Sequence, residues 1–461
     1  MRPLWKKVAL PAALFLLVTA GGEAAAAAPG FAKTAGTQIL GSDGNPLLLR
    51  GINLGGWLVQ EGYIMHIPGF GSPSSIQAMI QDLLGTADTE QFYQLYTSNY
   101  ITEQGIALIA QWGLNSVRVP FHYRLVYDPV SRTFLQPGFD LLGSLVGWCK
   151  KYGIYVILDM HCAPGGQNAG NISDSDGSVA RLWTDVSNQD QTVAIWTEIA
   201  RRFADEPGVL GYDLLNESVL PAGYSNASLM SLYQRIGAAI RTVDGNHILF
   251  VEGNQWATDF SGLTPRFDSN MVYSFHKYWN ATTQDTIQAY LNLRDAAGAP
   301  LWLGEFGENS NAWGYDVIQL AQRNGIGWCW WTLKKLGTIS GPLSVPISAA
   351  YQKVLDYWNG AAARPSAGDA HDGLFGMAAD LSGNVVAHPD VVAMLTDPDA
   401  GAIAQPFQSL HIPGTIPAVA YDVGNEGVSY HDAVSMQTQY NGPIWNSGWA
   451  YRNDGVDIEA S

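Results

Sequence analysis

Two short apolar runs in this chain end in a glutamate. One is Gly208–Glu217, GVLGYDLLNE, which passes into the turn-like Ser218–Gly223; the other is Leu301–Gly307, LWLGEFG, with Glu305 near its end. Each is too short for an ordinary helix, and their Val, Tyr, Phe and Leu content suits buried strands. A carboxylate at the end of such a strand sits where a barrel or an open parallel sheet places its chemistry. A single strand-end glutamate is as readily a solvated loop residue, but two of the same design point to a pair. Paired carboxylates suit cleavage of a glycosidic bond, one protonating the leaving oxygen while the other attacks the anomeric carbon. Roughly 5–5.5 Å between them would retain the sugar's configuration.

Neighbouring residue types supply roles for the two acids. Arg118 lies inside the apolar stretch Asn115–Phe121, NSVRVPF. A buried guanidinium is costly without an anion, so Arg118 reads either as half of a structural ion pair or as the partner of a catalytic carboxylate. Arg118 and Tyr278 near Glu305 would keep that acid ionised, while Asn216 holds a sugar hydroxyl beside a protonated Glu217. Polar residues also end other apolar runs: His161, Glu252, His276 and Trp331. In a barrel all of these would converge on one mouth.

The elements that must position them alternate. Strand candidates are Gly51–Trp57, Asn115–Phe121, Ile154–His161, Val209–Glu217, His247–Gly253, Met271–Lys277, Leu301–Phe306 and Ile326–Trp331, with helical periodicity between most of them. Eight alternating units predict an α/β fold, a (β/α)8 TIM barrel, with right-handed crossovers. The alternative open sheet would carry a glycine-rich phosphate loop after its first strand, and no GxGxxG or GxxxxGK[ST] occurs. Thr37–Arg50 reads as a β-hairpin ahead of the barrel, turning at Ser-Asp-Gly-Asn-Pro. Asn384–Leu395 reads as a short outer helix with Pro389 in its first turn. Residues 397–411 read as a linker, and 412–461 as a partial β-sandwich.

Composition narrows the partners. The 461 residues are 47% hydrophobic and 14% charged, a packed rather than a disordered chain. A formal charge of −17 argues against nucleic acid and anionic membranes as partners. The 16 Trp and 21 Tyr serve either a large core or stacking on sugar rings. Arg2, Lys6 and Lys7, the apolar run Val8–Ala20 and the alanines before Pro29 predict a secretory signal peptide over residues 1–28. Three cysteines, Cys149, Cys162 and Cys329, allow one disulfide at most and read as small buried residues. No spacing suggests a metal site, HExxH and GxSxG are missing, and Asp174–Gly177 lacks the later ligands of a calcium loop.

The chain from about Thr37 to Leu395 resembles glycoside hydrolase family 5, and within it the exo-β-1,3-glucanases. The resemblance rests on RGINLGGWLVQEGYI (Arg50–Ile64), NSVRVP, LDMHCAPGGQN, LLNE, HKY, GEFG and GWCWW. It implies Glu217 as acid/base and Glu305 as nucleophile. It also implies Arg118, His161, Asn216, His276, Tyr278 and Trp331 around the sugar, with Glu61 on the non-reducing sugar. With the leader, the expected protein is a secreted monomer that hydrolyses β-glucan without a cofactor, β-1,3 linkages being favoured over β-1,4; the alternatives are an endo-β-1,4-glucanase and a non-catalytic barrel that only binds polysaccharide. One departure stands out: the family's W-x-W-K reads Trp331-Thr332-Leu333-Lys334 here. The tail from Ile412 resembles the start of a family 6-type carbohydrate-binding module, with Ala418-Val419 where that family has Ala-Glu.

Overall fold

The computed structural model describes residues 30–278, 280–432, 451–454 and 456. The signal-peptide stretch therefore lies outside the described residues, as does most of 433–461. The eight expected strands form a closed, all-parallel barrel. In chain order they are β1 (Arg50–Asn53), β2 (Ser116–His122), β3 (Tyr155–Cys162), β4 (Val209–Asp213), β5 (Ile248–Glu252), β6 (Met271–Lys277), β7 (Leu301–Gly307) and β8 (Gly327–Trp331). Each pairs with the next, and β8 closes onto β1 through Trp328–Arg50 and Trp330–Ile52.

The strand residues are buried from end to end apart from Arg50 and Tyr155, as expected for a sheet with helices outside and side chains within. The lower interior is apolar: Ile157, Leu210, Phe250, Val272, Trp302 and Cys329 pack together. Ala32, Ile39 and Leu49 belong to the same cluster, so the N-terminal segment plugs the bottom of the barrel. Thr34 fastens that plug through its N–H to Asn270 Oδ1 (2.8 Å) and its hydroxyl to the Ser269 carbonyl (3.0 Å), just before β6.

Several elements differ in extent from the sequence reading. The hairpin pairs Lys33–Ala35 with Gln38–Leu40, so it starts earlier. The expected Ser-Asp-Gly-Asn-Pro turn follows as a second reversal, in which Leu40 bridges Pro46. The Val209–Glu217 strand stops at Asp213; beyond it the Leu214 N–H still donates to the Phe250 carbonyl (3.1 Å) and the Asn216 N–H to the Met160 carbonyl (3.2 Å). The expected helix over Asn384–Leu395 is a two-residue strand, Val386–Ala387, followed by the helix Pro389–Thr396, which takes Pro389 at its first position. A helix the pattern did not show, Ala367–Gly383, packs on Pro73–Tyr100 and Ala349–Trp358. A β-carbon on its Gly373 would lie 2.7 Å from the Ala350 carbonyl oxygen. The small residues that permit this close approach also mask the apolar period.

The start of the expected linker, 397–411, is fastened to the helix Asn311–Arg323, and its middle pairs with the tail. The Tyr315 hydroxyl donates to the Pro398 carbonyl (2.6 Å), and Gln405 bridges Val423. Among the described residues of 412–461 only isolated bridges occur, with no strand or helix. Cys149, Cys162 and Cys329 are all free and buried.

One buried cation makes a stability prediction. Lys334 is 5% exposed, and its ammonium donates to the Leu381 carbonyl beside the Tyr100 ring. Burial pushes its pKa down to about 7, against an ordinary 10.5. The folded protein therefore sheds a proton that the unfolded chain keeps. The resulting cost is full below about pH 7 and disappears above the unfolded value. Lys334→Met should raise stability near pH 6 by something on the order of a few kcal/mol. The gain should fade toward pH 10, and calorimetry at the two pH values checks both statements.

Candidate active site

The upper interior of the barrel is built around Arg118, which β2 points inward and which is fully buried. Its Nε donates to Asp213 (2.8 Å) from β4, and Nη2 to Glu252 (2.9 Å) from β5 and to Asn216 (2.8 Å). Nη2 also lies 3.1 Å from Asp159 of β3. Nη1 donates to Asn53 of β1 and to Glu305 of β7. One guanidinium thus ties together six of the eight strands, counting its own. The resulting charge-assisted bonds fix Glu305 in place.

Glu305 Oε2 accepts a second bond from the Tyr278 hydroxyl (2.8 Å). Glu217 stands opposite, on a backbone with φ of 44°. That conformation is sparsely populated for a residue with a side chain and is concentrated at functional sites. The Glu217 N–H donates to Glu252 (2.6 Å), and its carboxylate bonds His276 Nδ1 (2.8 Å). His276 Nδ1 lies 3.6 Å from Glu305 and its Nε2 lies 3.2 Å from Glu252. One carboxylate oxygen of Glu217, one of Glu305 and a ring nitrogen of His276 lie within 4.8 Å of one another.

Charge explains the protonation pattern. Burial opposes a charge on His276, but Glu252 and Glu305 beside it raise its pKa well above the ordinary value. That direction favours the charged imidazole, with Nδ1 facing Glu217 and Nε2 turned toward Glu252. Asp159, Asp213, Glu252, Glu217 and Glu305 outnumber Arg118 and His276 five to two. Burial, with the neighbouring Glu252, raises Asp213 to about 7, and burial raises Asp159 and Glu252. His161 goes the other way. Burial lowers it to about 3, leaving a neutral ring whose Nδ1 bonds Asp159 (2.8 Å).

Above this layer opens a pocket of about 280 Å³ lined by Glu61, Tyr63, His161, Glu217, Trp256, Tyr278, Glu305, Glu308 and Trp331, with Ile172. Trp331 lies parallel to the His161 ring, 5.5 Å away, and its Nε1–H donates to the Tyr63 hydroxyl (2.7 Å). The glycines beside it are required. A β-carbon on Gly55 would sit 2.6 Å from the Trp331 indole, and one on Gly307 would sit 2.2 Å from the Trp331 carbonyl. Glu61 is 3% exposed. Burial, with Glu308, Glu305 and Glu217 nearby, raises its pKa well above the ordinary value. Glu308 pairs with Lys335 (2.8 Å), whose ammonium lies over the Tyr63 ring.

A family model described as Cellulase (glycosyl hydrolase family 5) matches residues 79–337. The chain belongs to glycoside hydrolase family 5. A β-xylosidase of Phanerodontia chrysosporium is 32% identical over 344 residues, 67% of this chain and 71% of that protein. A probable glucan 1,3-beta-glucosidase A of Aspergillus fumigatus is 28% identical over 235 residues, 50% of this chain. The match spans 56% of that glucosidase, little more than half its length. An endogalactoceramidase structure shares the fold with a TM-score of 0.52 at 19% identity, covering 75% of this chain and 84% of that one.

Of the residues predicted from sequence, this family 5 hydrolase places Glu61, His161, Glu217, Tyr278, Glu305 and Trp331 on the pocket wall. Arg118 and Asn216 lie beneath, fully buried, and His276 is 4% exposed. Sequence reasoning did not single out Asp159 and Asp213. Each is a lone acid inside an apolar strand, the same signal that marked Arg118. Tyr63, Trp256 and Glu308 were not singled out; they lie beyond the strand ends, on the short helices Gly62–Met65 and Asn254–Ala257 and in the loop after β7.

Proposed function

We propose that the chain is a secreted retaining β-glycosidase that hydrolyses β-glucan, β-1,3 linkages being favoured, through a covalent glycosyl–enzyme. The observation that carries this is the approach of Glu217 and Glu305 oxygens to within 4.8 Å at the floor of one pocket. Double-displacement enzymes hold their carboxyls roughly 5–5.5 Å apart, whereas inverting ones leave room for a water. Glu305, oriented by Arg118 and Tyr278, attacks the anomeric carbon while Glu217 gives its proton to the departing oxygen. Glu217 then takes a proton from water, which attacks the same carbon and releases Glu305. Neutral His161, Asn216 and Glu61 offer hydrogen bonds to sugar hydroxyls, and Trp331 offers a flat face to the ring.

The clustering of Glu61, Tyr63 and Glu308 on the pocket wall, with Lys335 paired to Glu308, supports removal of single sugars from a chain end. The β-xylosidase relative favours a second reading, in which the terminal sugar is xylose. Secretion rests on the leader-like Arg2–Pro29 stretch; no helix among the described residues is long and apolar enough to cross a membrane. The test is a product profile on laminarin, lichenan, pustulan, cello-oligosaccharides and xylo-oligosaccharides, with the anomer of the first product read by NMR. Glucose alone from laminarin, released as the β-anomer, is expected. Xylose from xylo-oligosaccharides at a higher kcat/KM would select the second reading, and initial release of the α-anomer would defeat both.

A further inference from the structure

The C-terminal tail reaches the segment that follows β7, the strand carrying Glu305. The Asn453 side chain, fully buried, donates from Nδ2 to the Asn309 carbonyl (3.0 Å) and to Asn311 Oδ1 (3.0 Å). Its own carbonyl accepts the Asn311 N–H (2.8 Å). Next to it, Arg452 is 3% exposed and is sandwiched between the Phe407 and Tyr421 rings, whose centroids lie 4.3 and 3.8 Å from the guanidinium. Arg452 also donates to the carbonyls of Val419 and Asp422 (3.2 and 3.1 Å). The tail is thus wound round Arg452 and presents Asn453 to the loop that leaves β7.

That loop, Glu308–Ser310, has no pairing of its own in helix or sheet. Asn309 nevertheless crosses to β6's extension, donating from Nδ2 to the Tyr278 carbonyl (2.5 Å) and to the Gly307 carbonyl (2.7 Å). Tyr278 in turn bonds Glu305. Deleting the Asn453 amide strands a buried carbonyl at Asn309, which the loop must move to hydrate. The movement reaches Tyr278 through a fully buried asparagine.

We propose that Asn453 is a positioning residue for the reaction, bracing Asn309 so that Tyr278 holds Glu305 in its attacking geometry. The tail then acts as part of the hydrolase unit rather than as a separate sugar-binding module. The inference rests on the retaining reading above. Reacting groups displaced by about 1 Å lose up to roughly 100-fold in rate, so loosening the brace should be visible in the chemical step.

The test traps the full chain with 2-deoxy-2-fluoro-β-glucosyl fluoride and follows the covalent adduct by intact mass. The first-order rate constant reports attack by Glu305 in each competent molecule, whereas the amplitude reports how many molecules are competent. Asn453→Ala should slow the rate constant roughly tenfold or more. Asn309→Ala, which keeps the backbone carbonyl that seats the tail, should slow it similarly, and the double variant should be little slower than either. A reduced amplitude at the wild-type rate constant would show that Asn453 only stabilises the fold, and would overturn the proposal. Should Asn453→Ala not fold, Asn309→Ala reacting at the wild-type rate would overturn it equally. Wild-type chain that hydrolyses no β-glycoside and takes no label at Glu305 would remove the retaining reading and this inference together.

Discussion

Glu305→Ala is expected to lower kcat by roughly 10⁴-fold or more while leaving the thermal transition in place. Added azide should then restore turnover and yield an α-glycosyl azide, because a small anion in the vacated space attacks the face that Glu305 used. Glu217→Ala should behave differently. With an aryl glycoside whose leaving group needs no proton, the first step survives and the glycosyl–enzyme accumulates. Azide should then attack that intermediate from the opposite face and give a β-glycosyl azide. The two products separate nucleophile from acid/base more decisively than loss of activity does. A β product from Glu305→Ala, or near-normal hydrolysis by either variant, would defeat the assignment.

Arg118→Met should have the largest effect on stability. Removing one member of a buried ion pair costs about 3–5 kcal/mol, equivalent to a fall in Tm of roughly 3–6 °C for a chain of this length. Here a single cation serves Asp159, Asp213, Glu252 and Glu305. The loss should depend on pH with a definite sign. Asp213 is already raised to about 7 by burial and by Glu252, despite Arg118 beside it, and the same acids rise further when the guanidinium goes. A carboxyl whose folded pKa exceeds its unfolded value stabilises the fold fully below the unfolded value, and that stability is lost as pH rises through the folded one. The gap in Tm between wild type and variant should therefore be smaller near pH 5 than near pH 8. Calorimetry showing an equal or larger gap at pH 5 would mean that Arg118 matters as a packing unit and not as the counter-charge.

Much of the fold was legible because its signals are local. Short apolar runs bounded by glycine and polar residues mark each of the eight strands. An acid, a histidine or a tryptophan at the end of such a run is placed by the barrel at the mouth. Signals weakened where size or distance intervened. The Ala367–Gly383 helix uses alanine and glycine on its packed face, so its apolar period is faint. Its start was marked all the same, by Ser366 capping the Asp369 N–H (3.1 Å). Asp159 and Asp213 could have been found by the reasoning that found Arg118. Asn453 could not, since nothing near it in the chain refers to Asn309, 144 residues away.

Sequence alone determined the barrel, the order of its strands and which of them carry acids, because side-chain alternation and strand length are properties of consecutive residues. Tertiary structure alone decided that Glu217 and Glu305 meet within 4.8 Å, that their surroundings push the pKa of His276 up and that of His161 down, and that Asn453 of the tail bonds the loop after β7. Separation and protonation depend on which charges lie close through space and how far water is excluded. Those quantities come into being only when residues hundreds of positions apart close round the same cavity.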